Sequence, residues 1–349
     1  MSDPASKING ALFTAPTSDD LVIGVDIGGT KIAAALIDQN GHILHQTRVP
    51  MVAAGEASAA LAAVRSAIDF VACKIRVKPG PHGLIRGIGI CSPGPLNPHT
   101  GIVINPPNLP CWRNYPLARE ISQAYGVPVK VDNDANAAAL AEVLWGAGRG
   151  CRNVFCATLG TGIGTGIVIE GRIYHGRTGA AGEGGHLSID YRGPKCACGK
   201  PGCIEILASG PAIAKRARSK LAVQPDLGSV LLDMCGGNLD LVTSEMVGEA
   251  HAAGDRIAQQ VLQETLDVLA FWLGNMVDLL DPDVMILGGG VAGLLEPFIP
   301  QLRDRLPGCC VNPACREIPL VMAHHGVDAG ILGGAALCAQ IMAMPLVSS

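Results

Sequence analysis

Aromatic residues are scarce in this chain: Phe, Tyr and Trp together make up 3% of its 349 residues. Proteins that grip single-stranded nucleic acid stack its bases on aromatic faces, so the shortage argues against that partner. Positive charge is short as well. The formal net charge is -4, and the densest basic cluster, Lys215 to Lys220, reads as one solvated helix face rather than a phosphate-binding stripe. Nucleic acid is therefore not an expected partner. Long uninterrupted apolar runs are missing too. The first twenty residues are rich in Ser, Asp, Ala and Pro and lack the apolar core of a secretory signal, so segment 1–20 reads as a loose tail. The segment from Ile331 to Val347 is apolar, but Gly333-Gly334, Gln340 and Pro345 interrupt it. It stops short of spanning length, which favours a buried helix over a membrane span. With no export signal in view, the 13 cysteines are expected to be thiols in a reducing compartment, the cytoplasm.

What is abundant is glycine, at 45 residues, within a chain whose apolar share is 48%. That length and apolar content can build two domains, each with its own core. Leu21–Asp26 reads as a buried strand, Gly28-Gly29 as a turn, and Ile32–Ile37 as a returning strand before the hairpin dipeptide Asn40-Gly41. Ala57–Lys74 has the pattern of an amphipathic helix, and Gly87–Cys91 and Val127–Val131 read as strands. Asp134–Trp145 reads as a helix with an acidic first residue and Gly146 at its end. A similar opening then recurs: strand Asn153–Leu159, glycine turn Gly160 to Gly166, strand Ile167–Ile169 and the turn Glu170-Gly171. Farther on, Glu245–Asp281 is mainly helical, Val284–Leu287 is a strand, and Gly288-Gly289-Gly290 is a third glycine turn leading to more helix. The result is an α/β chain with a weak internal duplication.

Neither of the first two glycine turns is a familiar nucleotide fingerprint. The Gly-x-Gly spacing around Thr161 is followed by a strand where a dinucleotide site requires a helix. Gly28-Gly29-Thr30-Lys31 lacks the spacing of a Walker loop. Each turn read singly is equally a plain tight turn. As a pair, with Asp26 and Lys31 on the first, their backbone N–H groups and Thr hydroxyls form two sides of a clamp for a nucleoside triphosphate.

The strongest chemical signal is His186 followed by Cys196, Cys198 and Cys203. One imidazole and three thiols at this spacing supply the four ligands of a tetrahedral zinc ion. All four positions are then filled, so the zinc is expected to be structural. Free buried thiols are the alternative. Glu183 and Glu205 bracket the cluster, which ties it to a polar ligand site.

Taken together, the motifs resemble those of the ROK family (repressors, open reading frames and sugar kinases), within the larger group of sugar kinases, heat-shock ATPases and actin. The resemblance is carried by Asp26-Ile-Gly-Gly-Thr-Lys31, Ser92-Pro-Gly-Pro95, Pro107-Asn108-Leu109 with Trp112, and Asp132-Asn-Asp134-Ala-Asn136. It continues through Gly160 to Gly166, Glu183-Gly-Gly-His186, the cysteine cluster with Glu205 and Ser209-Gly210, Gly288-Gly-Gly290, and Asp328-Ala-Gly330. It implies an α/β fold of two actin-like (ribonuclease-H-like) domains closing over a central cleft. Residues 21–132, completed by a C-terminal helix at about 331–349, would form the smaller domain. Residues 133–330 would form the larger, with the zinc-binding loop.

The resemblance further implies ATP-dependent phosphorylation of a hexose. Asp134 would be the general base on the sugar hydroxyl, and a helix N-terminus should keep it ionised. Gly94, Asn108, Asn133, Asp134, Glu183, His186 and Glu205 would contact the sugar, with His186 using one ring nitrogen for zinc and the other for sugar or a carboxylate. Asp26, Gly28, Gly29, Thr30, Lys31, Gly160, Thr161, Gly162, Gly288, Gly289 and Gly290 would serve ATP, and Asp26 would face hydrated Mg²⁺. Glucose is the first expected acceptor, followed by N-acetylglucosamine or N-acetylmannosamine, then fructose or allose. Polyphosphate stays open as a donor. A homodimer, or a homotetramer, is what the resemblance suggests. A silent sugar sensor or repressor is the non-enzyme alternative, with too few residues before the first hairpin for a winged helix. Asn97, where Asp is commoner, and His324-His325 depart from the family pattern. Chelation is expected to weaken hexose binding first and leave the glycine loops in place.

Overall fold

The computed structural model describes residues 20–75 and 84–342. Residues 1–19 of the expected tail at 1–20, and residues 343–349, which include the end of the apolar C-terminal run, lie outside the described residues. The chain divides into two compact units, Met1–Asn133 with Gly330–Ser349, and Asp134–Ala329.

The first unit opens with β1 (Leu21–Ile27), β2 (Lys31–Ile37) and β3 (Ile43–Pro50), followed by α1 (Ala57–Ala72), β4 (Ile85–Cys91), the short β5 (Leu96–Asn97) and β6 (Ile102–Val103), α2 (Leu117–Tyr125) and β7 (Val129–Asp132). Its five-stranded sheet runs β3-β2-β1-β4-β7. The three opening strands are antiparallel neighbours, whereas β4 and β7 join in parallel. The apolar runs of β1, β2 and β4 suit strands covered on both faces, and the edge strand β3 is largely exposed. Ala60, Val64, Ala67, Ile68 and Val71 recur at helical spacing along α1 and are buried in the same core as Ile23, Leu36 and Ile88. Asn97 forms its own turn by accepting from the amides of His99 and Thr100 at 3.0 and 3.2 Å. An amide oxygen therefore serves where the family pattern has Asp.

The second unit begins with α3 (Asp134–Trp145), then β8 (Val154–Leu159), β9 (Ile163–Ile169), β10 (Arg172–Ile173), α4 (Ile204–Ala208), α5 (Gly210–Val223), α6 (Ser229–Met234), α7 (Ser244–Ala252) and α8 (Arg256–Leu280). It ends with β11 (Val284–Gly288), α9 (Gly290–Leu295), α10 (Ile299–Arg305) and β12 (Leu320–Met322). Its sheet runs β10-β9-β8-β11-β12, with the same antiparallel opening and parallel continuation as the first. The duplication expected from the two glycine hairpins is thus present in the strand order.

Two boundaries differ from the sequence reading. The second glycine turn closes by Gly162, and Gly164 and Gly166 lie inside β9. They are glycines because α3 packs there: a Cβ on Gly166 would sit 2.5 Å from the Ala135 carbonyl oxygen. The long helical stretch from Glu245 is two helices. The break falls at Gly254, whose φ of +87° no L side chain favours, and Asp255 restarts the chain by accepting from the Ala258 amide at 2.9 Å.

The last helix, α11 (Ala329–Met342), covers β1 and β4 of the first unit. Contact is so close that a methyl on Gly24 would overlap the Ile331 carbonyl, and one on Gly89 the Gly334 carbonyl. Among the described residues, no helix is long and apolar enough to cross a membrane.

Candidate active site and metal centre

In the first unit, β1 ends in half-buried Asp26, and the turn into β2 closes as the Gly28 amide donates to the Lys31 carbonyl at 2.9 Å. Thr30 and Lys31 are exposed at the turn, and the Thr30 carbonyl is held by the Met51 amide at 3.0 Å. Gly29 lies against exposed Asn108, where a Cβ would be 3.3 Å from the Asn108 carbonyl oxygen. Gly330, at the start of α11, leaves room for the Asp26 carboxylate: a Cβ there would be 2.5 Å from Oδ2. Exposed Gly94 follows β4 in a segment with a cis Gly94–Pro95 bond. The structure thus gathers Asp26, the 28–31 turn and Asn108, and places Gly94 on a separate segment.

Asn133 donates its amide to Asp132 Oδ1 at 2.8 Å, and Asp134 opens α3 with Oδ1 accepting from the Ala135 amide at 2.9 Å. The Asp134 side chain keeps access to solvent although protein surrounds it on most sides. Burial pushes its carboxyl above the ordinary value, against the pull of the Ala135 amide and its own. The helix N-terminus alone would lower it; desolvation outweighs the dipole. A raised proton affinity suits a general base better than a lowered one.

The second turn closes with the Gly160 amide donating to the Gly162 carbonyl at 2.9 Å, leaving Thr161 exposed. It is held from outside: the Gly210 amide, at the start of α5, donates to the Gly160 carbonyl at 2.8 Å, and the Ile163 amide donates to Glu205 Oε2 at 2.9 Å. The third turn abuts the end of β8, because Gly289 packs where a Cβ would overlap the Leu159 carbonyl. The three glycine groups therefore fall into two sets. Gly28 and Gly29 stand in one unit, while Gly160, Gly162, Gly288, Gly289 and Gly290 neighbour one another in the other.

His186, Cys196, Cys198 and Cys203 come together with their ligand atoms all within 4.8 Å of one another. Cys196 Sγ lies 3.7 Å from His186 Nδ1, and the Cys198 and Cys203 sulfurs are 3.6 Å apart. Those are close to the edges of a tetrahedron with zinc–sulfur arms, about 3.8 Å, and far longer than a disulfide. The donor set and its spacing fit zinc. Local folding explains the convergence: the Cys196 amide donates to the Lys200 carbonyl at 2.8 Å, curling residues 196–200 into a knuckle. Glu205 Oε1 lies 3.9 Å from His186 Nδ1, so the carboxylate stands on the thiol side of the ring. Of the two partners expected for the second ring nitrogen, sugar or a carboxylate, Glu205 is therefore not the one, since it lies beside Nδ1.

Three supporting residues escaped the sequence reading. The Thr165 hydroxyl accepts from the Gly184 amide at 2.8 Å and donates to the Gly182 carbonyl, and the buried Trp272 indole donates to the Gly184 carbonyl at 3.1 Å. Together they hold the Glu183-Gly-Gly-His186 turn. Buried Glu142 on α3 accepts from the amides of His324, His325 and Ala147 at 2.8, 3.0 and 2.8 Å. His325 Nε2 in turn donates to the Ala141 carbonyl at 3.1 Å, which gives the unexplained histidine pair a structural role. A lone carboxylate in the otherwise Ala- and Leu-rich run Ala135–Trp145 was the available signal. Burial pushes the Cys309 thiol up and Cys310 to about 11, so neither is a primed nucleophile.

Two mixed sheets of one strand order, each carrying a glycine hairpin, are the mark of the actin-like two-domain proteins, and here one unit adds a Cys₃His cluster. The chain belongs to the ROK family, whose pattern matches residues 22–341. It is 34% identical over 321 residues to the glucokinase of Streptomyces coelicolor, covering 92% of this chain and 98% of that one. It is also 34% identical over 319 residues to the N-acetylmannosamine kinase of Citrobacter koseri, covering 91% and 98%. Among solved structures, a ROK family glucokinase from Streptomyces griseus in complex with glucose and AMPPNP aligns with TM-score 0.72 and 35% identity, covering 92% and 99%.

Proposed function

We propose that the chain is an ATP-dependent hexose kinase, with glucose as the preferred acceptor and Asp134 as the general base. The observation that carries the reading is the accessible Asp134 carboxylate at the start of α3, its proton affinity raised by burial. Its role is to accept the proton of the sugar hydroxyl as that oxygen attacks the γ-phosphorus, while the ADP oxygen departs. Glu183, His186 through Nε2, and Glu205 supply paired acceptors and donors to neighbouring hydroxyls. Exposed Thr161 and the amides around the second and third turns face the phosphates. Asp26 would hold hydrated Mg²⁺, which neutralises phosphate charge when bound. His186, Cys196, Cys198 and Cys203 would hold zinc with no position open for water, so the ion braces the loop and takes no part in proton transfer.

Asp134→Asn should lower ADP release by about 10²–10⁴-fold while calorimetry still detects sugar binding. Unchanged turnover would remove Asp134 as the base. A second acceptor reading, N-acetylmannosamine, is supported by a relative with the same percent identity as the glucokinase. Comparing kcat/KM across hexoses and N-acetylhexosamines decides between them, and no ADP release with any of these sugars would sink the kinase reading.

A further inference from the structure

We propose that Glu205 couples the metal-binding loop to the second glycine turn, so that zinc loading of the Cys₃His cluster raises affinity for the nucleotide as well as for the sugar. The proposal rests on the reading of the Gly160–Gly162 turn as a phosphate turn. Ile163, the residue that closes this turn, is gripped on both of its backbone groups by the two segments that carry the metal ligands. Its amide donates to Glu205 Oε2 at 2.9 Å, and Glu205 lies two residues beyond Cys203. Its carbonyl packs against Gly185, one residue before His186, so tightly that a methyl at position 185 would overlap the oxygen. Gly162 also lies against this carboxylate, since a Cβ there would stand 2.7 Å from Glu205 Oε2. The other carboxylate oxygen reaches back to the cluster, 3.9 Å from His186 Nδ1 and 4.0 Å from Cys196 Sγ.

An ion held by His186, Cys196 and Cys203 would add a side-chain tie between the two jaws that close on Ile163 and would fix the groups that flank Glu205 Oε1. Without it, the jaws stay joined by backbone, the Ile204 amide on the Leu187 carbonyl at 3.0 Å and the Ile189 amide on the Gly202 carbonyl at 2.9 Å. But the His186 ring and Cys196 thiol beside Glu205 Oε1 lose their common anchor, and the carboxylate that holds the Ile163 amide is freer to turn. For the second loop this differs from the expectation that chelation leaves the glycine loops in place, and the experiment below decides between them. Because binding couplings are reciprocal, nucleotide must tighten zinc binding by the same factor by which zinc tightens nucleotide binding.

The test measures ADP affinity by calorimetry, without sugar, on zinc-loaded and chelator-stripped protein. About tenfold weaker binding after stripping is expected, within the ordinary range of couplings between sites. The reciprocal arm uses the loaded protein, whose fold is intact: competition with a zinc-binding dye should show about tenfold tighter zinc when ADP is saturating. Glu205→Ala should retain one zinc per chain yet lose the coupling in both arms, and Glu205→Gln, which keeps an acceptor for the Ile163 amide, should restore much of it. Equal zinc affinity with and without ADP, or coupling undiminished in Glu205→Ala, overturns the proposal. Thr161→Val separates the underlying reading from the coupling. If it leaves ADP affinity unchanged, the turn is not a phosphate turn and both ideas fall. If it weakens ADP and the zinc arms show no coupling, only the coupling falls.

Discussion

The two units share a strand order, but their glycine hairpins are braced by different means. In the first, the turn at 28–30 is held by backbone: the Met51 amide on the Thr30 carbonyl, and Gly29 against the Asn108 main chain. In the second, the turn at 160–162 has a backbone tie as well, the Gly210 amide on the Gly160 carbonyl, but the residue that closes it is also held by a side-chain carboxylate, Glu205, two residues beyond a metal-ligand candidate. A turn braced by its own unit's backbone responds only to the folding of that unit. On the coupling proposed above, a turn braced through a metal loop would respond also to what the loop holds. Duplication supplied the scaffold, and the bracing is where the halves diverged.

The helices that cover the two sheets both seat on glycine, more closely in the first unit than in the second, and substitutions there compare the two halves. The largest effect is expected in the first unit. Gly89→Ala forces a methyl into the Gly334 carbonyl, where neither backbone can yield cheaply, and should cost about 3 kcal/mol or more by thermal or denaturant unfolding. In the second unit, Gly166→Ala presses on the Ala135 carbonyl in the first turn of α3. Because that turn carries Asp134, kcat should fall about tenfold or more, equivalent to about 1.4 kcal/mol in the barrier, with a smaller loss of stability than Gly89→Ala. An equal loss of stability with kcat intact would erase the distinction between the two packings. Trp272→Phe keeps most of the buried ring but leaves the Gly184 carbonyl without its indole donor, a loss of about 1 kcal/mol. It should appear as a raised KM for sugar with the KM for ATP unchanged.

The smallest effect concerns sign rather than size. Burial raises the Asp134 carboxyl, so its charged form is disfavoured in the folded protein, and this strain is absent at low pH and grows as pH rises through the folded value. Asp134→Asn, besides its loss of turnover, should therefore raise the melting temperature at neutral pH. The wild-type acid limb of kcat/KM should lie above the pH of an ordinary aspartate, about 3.9. A lower melting temperature for the variant would show that the helix terminus, and not burial, governs this carboxylate.

Much of the fold was legible because its signals are local. The apolar runs of β1, β2 and β8, the Asn40-Gly41 hairpin and the acidic start of α3 can each be read within a few residues. The metal cluster was legible because thiol spacing is a chemical pattern that survives any uncertainty about the fold. What the chain concealed are contacts made across long separations. Gly164 and Gly166 looked like turn residues, since their reason for lacking a side chain is a helix some thirty residues earlier in sequence. Trp272 and Thr165 gave no hint that both converge on Gly184, and Glu142 gave its partners at His324 and His325 no local sign. The sign of the Asp134 shift was misread for the same reason: the helix terminus is visible in sequence, and desolvation is not.

The close seating of α11 on β1 and β4 has a consequence for how the protein comes into being. The first unit takes its covering helix from Gly330 onward, whereas the second is one unbroken stretch from Asp134 to Ala329. During synthesis, domains tend to fold as they emerge, yet β1 and β4 wait with a glycine-lined face until residue 330 has been made. The unit that is translated first must be the one completed last.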